Sequence, residues 1–364
     1  MTLRPFFRIV GTKTNESLAY AVRILRGYLD GESRTRLVEP FCGSGSVTLA
    51  TEPPLALLAD ANPHIILAFK VLQQRPKALL RSFNRLRDSY LQEPTKDHFY
   101  TIRDNPPDNP IDLASWFVFI VHASFNWLWR TNKDGVCNTT AGDGNAVERV
   151  RSGMRTRHVE ELSSWLTRRG VQLLHSGFAD TLSLCGEGDV VYCDPPYIGQ
   201  FDSYTSSPFG AEGYQQLHDS LHEAWERGAV TVVHSVAEPH FAAPYQTWCR
   251  VLCHPCLRRV QPKKVHTAWE MIIVSQPRQI GLFDDKPQAA PDLSLVRPED
   301  FMLRGRGDEA RWNDTTSSWE HWPPHEASPC PTEHTGPSKE KPSAIQMGLW
   351  SSPPSTETDD PSHT

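Results

Sequence analysis

"RLVEPFCGSGSVTLATEPPLALLAD", residues 36–60, decides the fold. "RLVEPF", 36–41, reads as a short buried strand. Gly43-Ser44-Gly45 follows, and its glycines let the backbone turn tightly and approach a ligand. A helix comes next, and then "LALLAD", 55–60, a second strand that ends in an acid. A G-x-G alone is a weak signal. No third Gly and no Lys-Ser/Thr pair follows, so the phosphate-cradling versions fit poorly. Asp60, about 15 residues after the turn, is placed to bind the two hydroxyls of a ribose. Equally, it reads as the N-cap of the helix that starts at Pro63.

Working outward, residues 15–29 show helical spacing with Asn15 as N-cap, and residues 63–73 form another helix. Residues 75–170 carry long helical patterns, including "ASWFVFIVHASFNWLW". Strands are expected at 171–176, 189–194, 229–235 and 271–274, with a helix over 211–227. This strand–helix alternation implies a mainly parallel α/β sheet, and the helical stretch is too large for a simple crossover. The chain therefore divides into a sheet domain from 1–74 and 171–277, an inserted subdomain over 75–170, and a tail over 278–364.

"VVYCDPPYIG", 190–199, ends a strand in an unusual way. Proline cannot donate to a ladder, so the strand stops at Asp194-Pro195-Pro196-Tyr197. A carboxylate, fixed carbonyl acceptors and a flat ring then sit at the carboxyl end of a strand, where open α/β sheets bind ligands.

Bulk properties narrow the class. The chain has 364 residues and a net charge of −6. Residues 281–364 hold 7 Lys+Arg and 15 Asp+Glu, a net of −8, so residues 1–280 stand near neutrality at +2. The tail also holds 12 of the 30 prolines. With few aliphatic residues it cannot offset its ordering entropy, and it reads as mostly disordered. No apolar run reaches the ~18 residues of a membrane helix. Residues 1–10 lack the apolar core of a secretory signal. Eight scattered cysteines fit a reducing, cytoplasmic setting. Cys249, Cys253, His254 and Cys256 invite a zinc reading, but no second ligand pair stands at the usual spacing, and no metal is expected.

Together these motifs resemble the Dam-type, amino-methylating DNA adenine methyltransferases over roughly residues 8–275. The resemblance implies a Rossmann-like sheet that binds S-adenosyl-L-methionine, with a mainly helical DNA target-recognition insertion. The family's N-terminal cofactor-binding W-A-G-G-K segment is here "IVGTK": Gly11 and Lys13 match, while Ile9 and Thr12 replace Trp and Gly, and the resemblance implies that Ile9 and Lys13 contact the cofactor. Its P-F-x-G-x-G matches Pro40, Phe41, Gly43 and Gly45, and the following acid is Asp60. Before D-P-P-Y the family carries Asp-Phe; here Gly177-Phe178 places Phe178 beside the cofactor's adenine ring, with Asp180 as a weak substitute for the acid. By resemblance, Asp194, Pro195, Pro196 and Tyr197 are the catalytic turn. Adenine's 6-amino group carries two N–H donors and a delocalised lone pair. Asp194 and the Pro195 carbonyl each accept one N–H, and Tyr197 stacks on a base flipped out of the duplex. Phe201 and Phe209 match an aromatic loop near that base.

"NWLWRTNKDGVCNTTAG", 126–142, matches N-x-L-x-R-x-N followed by G-x-x-N at Asn126, Leu128, Arg130, Asn132, Gly135 and Asn138. Arg and Asn read base edges bidentately. The V-P-F-G that follows in the family is Thr139-Thr140-Ala141-Gly142. Arg149, Arg151, Arg155, Arg157 and His158 form a run suited to phosphates, and Arg258, Arg259, Lys263 and Lys264 form another. Both runs read as well as solvated faces. In the tail, "QIGLF" at Gln279, Leu282 and Phe283 recurs as "QMGLW" at Gln346, Leu349 and Trp350. Both resemble the pentapeptide that binds the bacterial sliding clamp. The expected function is S-adenosylmethionine-dependent methylation of adenine in double-stranded DNA. The alternatives are an RNA adenine methyltransferase and a non-catalytic DNA-binding protein on the same fold.

Overall fold

The computed structural model describes residues 3–13, 15–29, 35–197, 209–261 and 264–277, with the backbone of 311–313 and 318–320. In chain order, α1 (Asn15–Tyr28) precedes β1 (Arg36–Glu39), α2 (Ser46–Thr51), β2 (Leu55–Asp60) and α3 (Pro63–Gln74). Five helices follow: α4 (Pro76–Gln92), α5 (Lys96–Asp104), α6 (Pro110–Ala123), α7 (Gly144–Ser152) and α8 (Thr156–Arg168). Then come β3 (Gln172–His175), α9 (Phe178–Ser183), β4 (Asp189–Cys193), α10 (Ala211–Glu226) and β5 (Val230–Val236). The body closes with α11 (Pro239–Ala242), β6 (Cys249–Gln261) and β7 (Lys264–Ser275).

The seven strands form one sheet in the order β3-β2-β1-β4-β5-β7-β6. β3, β2, β1, β4 and β5 run parallel, β7 is antiparallel to β5, and β6 is antiparallel to β7. The chain winds outward from β1 to β3, then crosses back to β4. That reversal between β1 and β4 is the topological switch point, where such sheets bind ligands. The register pairs Leu37 with Val190 and Val38 with Val191. The glycine turn after β1 and the D-P-P-Y turn after β4 are therefore neighbours, although about 150 residues of chain separate them.

Parallel strands covered on both faces read as continuous apolar runs, and all five residues of β4 are buried. Alternation sends Leu37, Val190, Tyr192, Val232 and Ile272 to one face, against Ala21, Ile24 and Leu25 of α1. Val38, Val191, Val233 and Ile273 face the other way, onto Leu217 and Leu221 of α10.

The helical insertion has no core of its own. Ile65 and Phe69 of α3 share one cluster with Leu79 and Phe83 of α4, Phe117 and Phe119 of α6, and Leu162 of α8. A helix apolar on all sides belongs in an interior, and α6 is buried continuously from Ala114 to Ala123. The expected subdomain over 75–170 is thus fused to the sheet through α3.

The long β6–β7 hairpin was not foreseen beyond 271–274. A short antiparallel pair, β8 (Arg311–Asn313) with β9 (Ser318–Glu320), lies within the tail expected to be mostly disordered. The rest of the tail, including both Q-x-G-L-aromatic segments, lies outside the described residues. No described helix is long and apolar enough to cross a membrane.

Candidate active site

The glycine turn is built by conformation and by close approach. Gly43 and Gly45 have φ of 49° and 66°, in the left-handed region that disfavours other residues. A Cβ on Gly45 would meet Phe69 Cζ at 3.0 Å, and one on Gly43 would meet Ile9 Cδ1 at 3.3 Å. Asp60 Oδ2 accepts the Gly43 N–H at 2.9 Å and Oδ1 accepts the Asn62 N–H at 2.9 Å. Asn62, not Asp60, caps α3, since its Oδ1 accepts the His64 N–H. Asp60 instead ties the end of β2 to the glycine turn, and burial pushes its carboxyl up to about 6.

Glu39 has a structural role that the sequence reading missed. It ends β1, is 3% exposed, and accepts from the Thr48 N–H at 2.7 Å and from the Thr48 hydroxyl. Burial outweighs those two donors and pushes its carboxyl up to about 7. The acid next to Pro40 was the available signal.

The "IVGTK" segment docks on the same turn. Thr12 Oγ1 donates to the Ile9 carbonyl at 2.7 Å and accepts from Ser44 Oγ at 3.1 Å. The hydroxyl that replaces a family glycine therefore closes this turn and joins it to the next. Beyond it, Lys13 Nζ reaches Asp194 Oδ1 at 2.8 Å and the Tyr197 hydroxyl. Burial opposes the charge on Lys13, but Asp194, Tyr197 and Glu270 outweigh it and hold the ammonium above its usual range. Burial, then the Asp194 charge, raise the Tyr197 phenol above its usual range. Tyr214 of α10 donates to the Pro196 carbonyl, fixing the second proline of the turn.

An aromatic group stands between these turns. Phe41 and Phe178 stack at 5.4 Å between centroids with an interplanar angle of 22°, and Phe209 meets both edge-on. That spacing leaves no room for a third ring between Phe41 and Phe178, so a bound base would lie against the pair. A left-handed turn that a Cβ would obstruct, a carboxylate on the next strand and this ring pair together fit a nucleoside. Asp180 is exposed. Phe201 lies outside the described residues.

The N-x-L-x-R segment forms a hairpin-like loop held by bridges Ser124–Ala141 and Thr131–Cys137. Asn126 and Trp127 both have positive φ, 49° and 59°, the backbone strain found at functional turns. Thr139, where the family differs, is buried and ties the loop by accepting the Arg130 N–H at 2.9 Å. Arg130 is half-buried, and Asn126 and Asn138 are exposed. Two of these residues have partners within the fold. Asn132 Oδ1 accepts the N–H groups of Asp134 and Val136 at 3.0 and 2.9 Å and builds the turn at the tip. Arg149 donates to the carbonyls of His122 (3.1 Å) and Ser124, and lies 4.6 Å over the Trp127 ring. It caps the end of α6 and lines a cavity of about 470 Å³. Arg151, Arg155 and Arg157 are exposed, with Arg151 and Arg157 beside Glu148 and Glu161. Phe125 and Val136, at 50% and 61% exposure, are apolar tips that the sequence reading passed over. The side chains of Arg258, Arg259, Lys263 and Lys264 lie outside the described residues.

The four β6 residues of the zinc reading divide between the two faces of the strand. Cys249 and Cys253 pack on the α10 side, while alternation sends His254 and Cys256 to the other. They do not make one site.

This architecture is a doubly wound α/β sheet with the two turns side by side at its switch point. Residues 21–246 match the D12 class N6 adenine-specific DNA methyltransferases, and the chain belongs to that family. It is 24% identical over 250 residues to the type II methyltransferase M1.LlaDCHI of Lactococcus lactis subsp. cremoris, covering 66% of this chain and 83% of that one. It is 30% identical over 202 residues to the retron Ec67 DNA adenine methylase of Escherichia coli, covering 54% and 67%. The DNA adenine methylase of Serratia marcescens is 28% identical over 206 residues, covering 54% and 72%. The chain is an adenine-specific DNA methyltransferase, and S-adenosylmethionine is the methyl donor such a family implies.

Proposed function

We propose that the glycine turn holds S-adenosylmethionine and that the Asp194 turn receives an adenine flipped from duplex DNA. The register that sets the carboxyl ends of β1 and β4 side by side carries this reading. Gly43 and Gly45 let the backbone approach the cofactor, Asp60 takes its ribose hydroxyls, and Phe178 backs its adenine. Ile9, Pro40 and Phe41 shape the wall. When bound, the cofactor supplies an electrophilic methyl group.

The chain's own residues then act on the target base. Asp194 and the Pro195 carbonyl each accept one N–H of the 6-amino group, which turns its lone pair out of conjugation. With the Pro196 carbonyl held by Tyr214, the Pro195 carbonyl is the acceptor this turn offers. Asp194 takes the proton as positive charge develops on the nitrogen. Lys13 fixes the carboxylate and the Tyr197 hydroxyl together, so the Tyr197 ring is a preset stacking face. On the insertion, Asn126, Leu128, Arg130 and Asn138 meet base edges, with Phe125 and Val136 as apolar contacts; Arg151 and Arg155 meet phosphates.

Calorimetry tests the cofactor assignment. Asp60→Ala and Phe178→Ala should each weaken S-adenosylmethionine binding by about tenfold or more, one good contact's worth. Unchanged affinity in both would remove the cofactor from this site.

The repeated Q-x-G-L-aromatic segments support a second role, recruitment to the sliding clamp in the cytoplasm. Two tethered copies on a ring of repeated pockets would gain avidity through effective concentration. Replacing Leu282, Phe283, Leu349 and Trp350 by Ala should abolish clamp pull-down and leave methylation of short duplexes unchanged. No pull-down by the intact chain at micromolar concentration would return both segments to coincidence.

A further inference from the structure

Three polar side chains converge on the α1 face of the sheet, where the neighbours Val232, Leu252 and Ile272 are apolar. His234 lies on β5, His254 on β6 and Glu270 on β7. His254 and Glu270 are direct cross-strand partners, and Glu270 also opposes Val236, two residues from His234. All are buried, at 0%, 3% and 4% exposure. His234 Nε2 stands 3.0 Å from Glu270 Oε2 and 3.2 Å from His254 Nε2, and His254 Nε2 is 4.0 Å from Glu270 Oε2. A point equidistant from three atoms so spaced lies about 2 Å from each, which is the bond length of zinc to imidazole nitrogen and carboxylate oxygen.

The protons lead to the same place. His254 Nδ1 faces the Pro255 carbonyl at 3.2 Å. A carbonyl only accepts, so Nδ1 carries the proton and Nε2 presents a lone pair. Ionised Glu270 Oε2 also only accepts. One proton on His234 Nε2 faces two acceptor atoms, His254 Nε2 and Glu270 Oε2. A cation at the centre satisfies all three atoms, with the His234 Nδ1 proton directed to the Tyr192 hydroxyl at 2.9 Å. The outer contacts are also built. Ser17 Oγ donates to Glu270 Oε2 at 2.6 Å, and Tyr20 stacks on His254 at 4.3 Å. Such contacts orient metal ligands in known sites.

We propose that His234, His254 and Glu270 bind one divalent transition-metal ion, zinc by preference, with a solvent molecule as the fourth ligand. Two imidazoles and one carboxylate suit zinc. The ion would tie β5, β7 and β6 together beneath the catalytic turn, and Glu270 Oε1 stands 3.5 Å from the Tyr197 hydroxyl. The proposal does not depend on the methyl-transfer chemistry.

The test uses the full chain without a metal-binding tag, incubated with zinc chloride and desalted. Elemental analysis should find about one zinc per chain. Chelator-stripped protein should gain several degrees in Tm on adding equimolar zinc, and cobalt should give the visible absorption of a tetrahedral site. His254→Phe keeps a ring against Tyr20 but removes a ligand. It should retain less than about a tenth of an equivalent and lose the Tm response; if it does not fold, Glu270→Gln serves the same comparison. Wild-type protein that retains almost no zinc, or a variant that retains the wild-type amount, overturns the proposal.

Discussion

Removing the Asp194 carboxylate strands the Lys13 ammonium. The two lie 2.8 Å apart with side chains 6% and 16% exposed, a pair within the protein rather than on its surface. Breaking a buried pair by deleting one partner costs about 3–5 kcal/mol, mostly from the charge left behind. Lys13 keeps the Tyr197 hydroxyl and sits near Glu270, so Asp194→Ala should cost toward the lower end, about 3 kcal/mol. Adding Lys13→Met removes the stranded charge and should recover most of that loss. A double-mutant cycle by urea unfolding at pH 8 measures the coupling, expected at about 2 kcal/mol. The pH dependence has a definite sign. The folded Lys13 titrates above its free value, so its contribution is complete below about pH 10.4 and is lost only as pH rises through the still higher folded value. The coupling should therefore be flat between pH 7 and 10. A loss under about 1 kcal/mol for Asp194→Ala, or a double variant less stable than Asp194→Ala alone, would refute the reasoning.

Three further outcomes are expected. Glu39, raised to about 7 when folded, is neutral in the fold at pH values where the unfolded chain is ionised. Its contribution is complete below about pH 4.3 and is lost as pH rises to about 7, so Glu39→Gln should erase that part of the slope; parallel urea midpoints against pH for both proteins would contradict it. Gly45→Ala meets Phe69 at 3.0 Å as well as left-handed strain, whereas Gly11→Ala at φ 88° meets nothing within 4 Å. Denaturation should show Gly45→Ala costing about 2–4 kcal/mol and Gly11→Ala about 1–2, and equal losses would exclude the packing term. Arg130→Ala should lose about 1–3 kcal/mol of discrimination at one base pair, while Arg149→Ala should lower Tm with little change in the salt slope of DNA binding. A shallower slope for Arg149→Ala with unchanged Tm would return that residue to the phosphates.

The motifs at strand ends were legible because turn chemistry is local. Prolines in D-P-P-Y stop a strand whatever surrounds it, and β1, β2 and β4 appeared within two residues of their observed ends. What the sequence hid was long-range. Asn132 and Arg149 are residue types that bind DNA, but one closes a turn and the other caps α6, and nothing in their spacing separates those uses. Asp60 and Glu39 look alike as strand-ending acids; only the fold shows one on the glycine turn and the other on Thr48. The β6–β7 hairpin was missed because its polar residues blur the alternation, and His254 there finds partners on two other strands.

The central claim is that the Asp194 carboxylate takes part in methyl transfer itself. Asp194→Asn tests it most directly, because the amide oxygen can still accept from Lys13 and the fold is spared. Single-turnover transfer of labelled methyl to duplex DNA, followed by nucleoside analysis, measures the step at saturating cofactor. The rate of N6-methyladenine formation should fall on the order of 10²–10³-fold, with S-adenosylmethionine affinity within about threefold of wild type. A variant that methylates at near wild-type rate, or one that loses cofactor binding instead, would contradict the account.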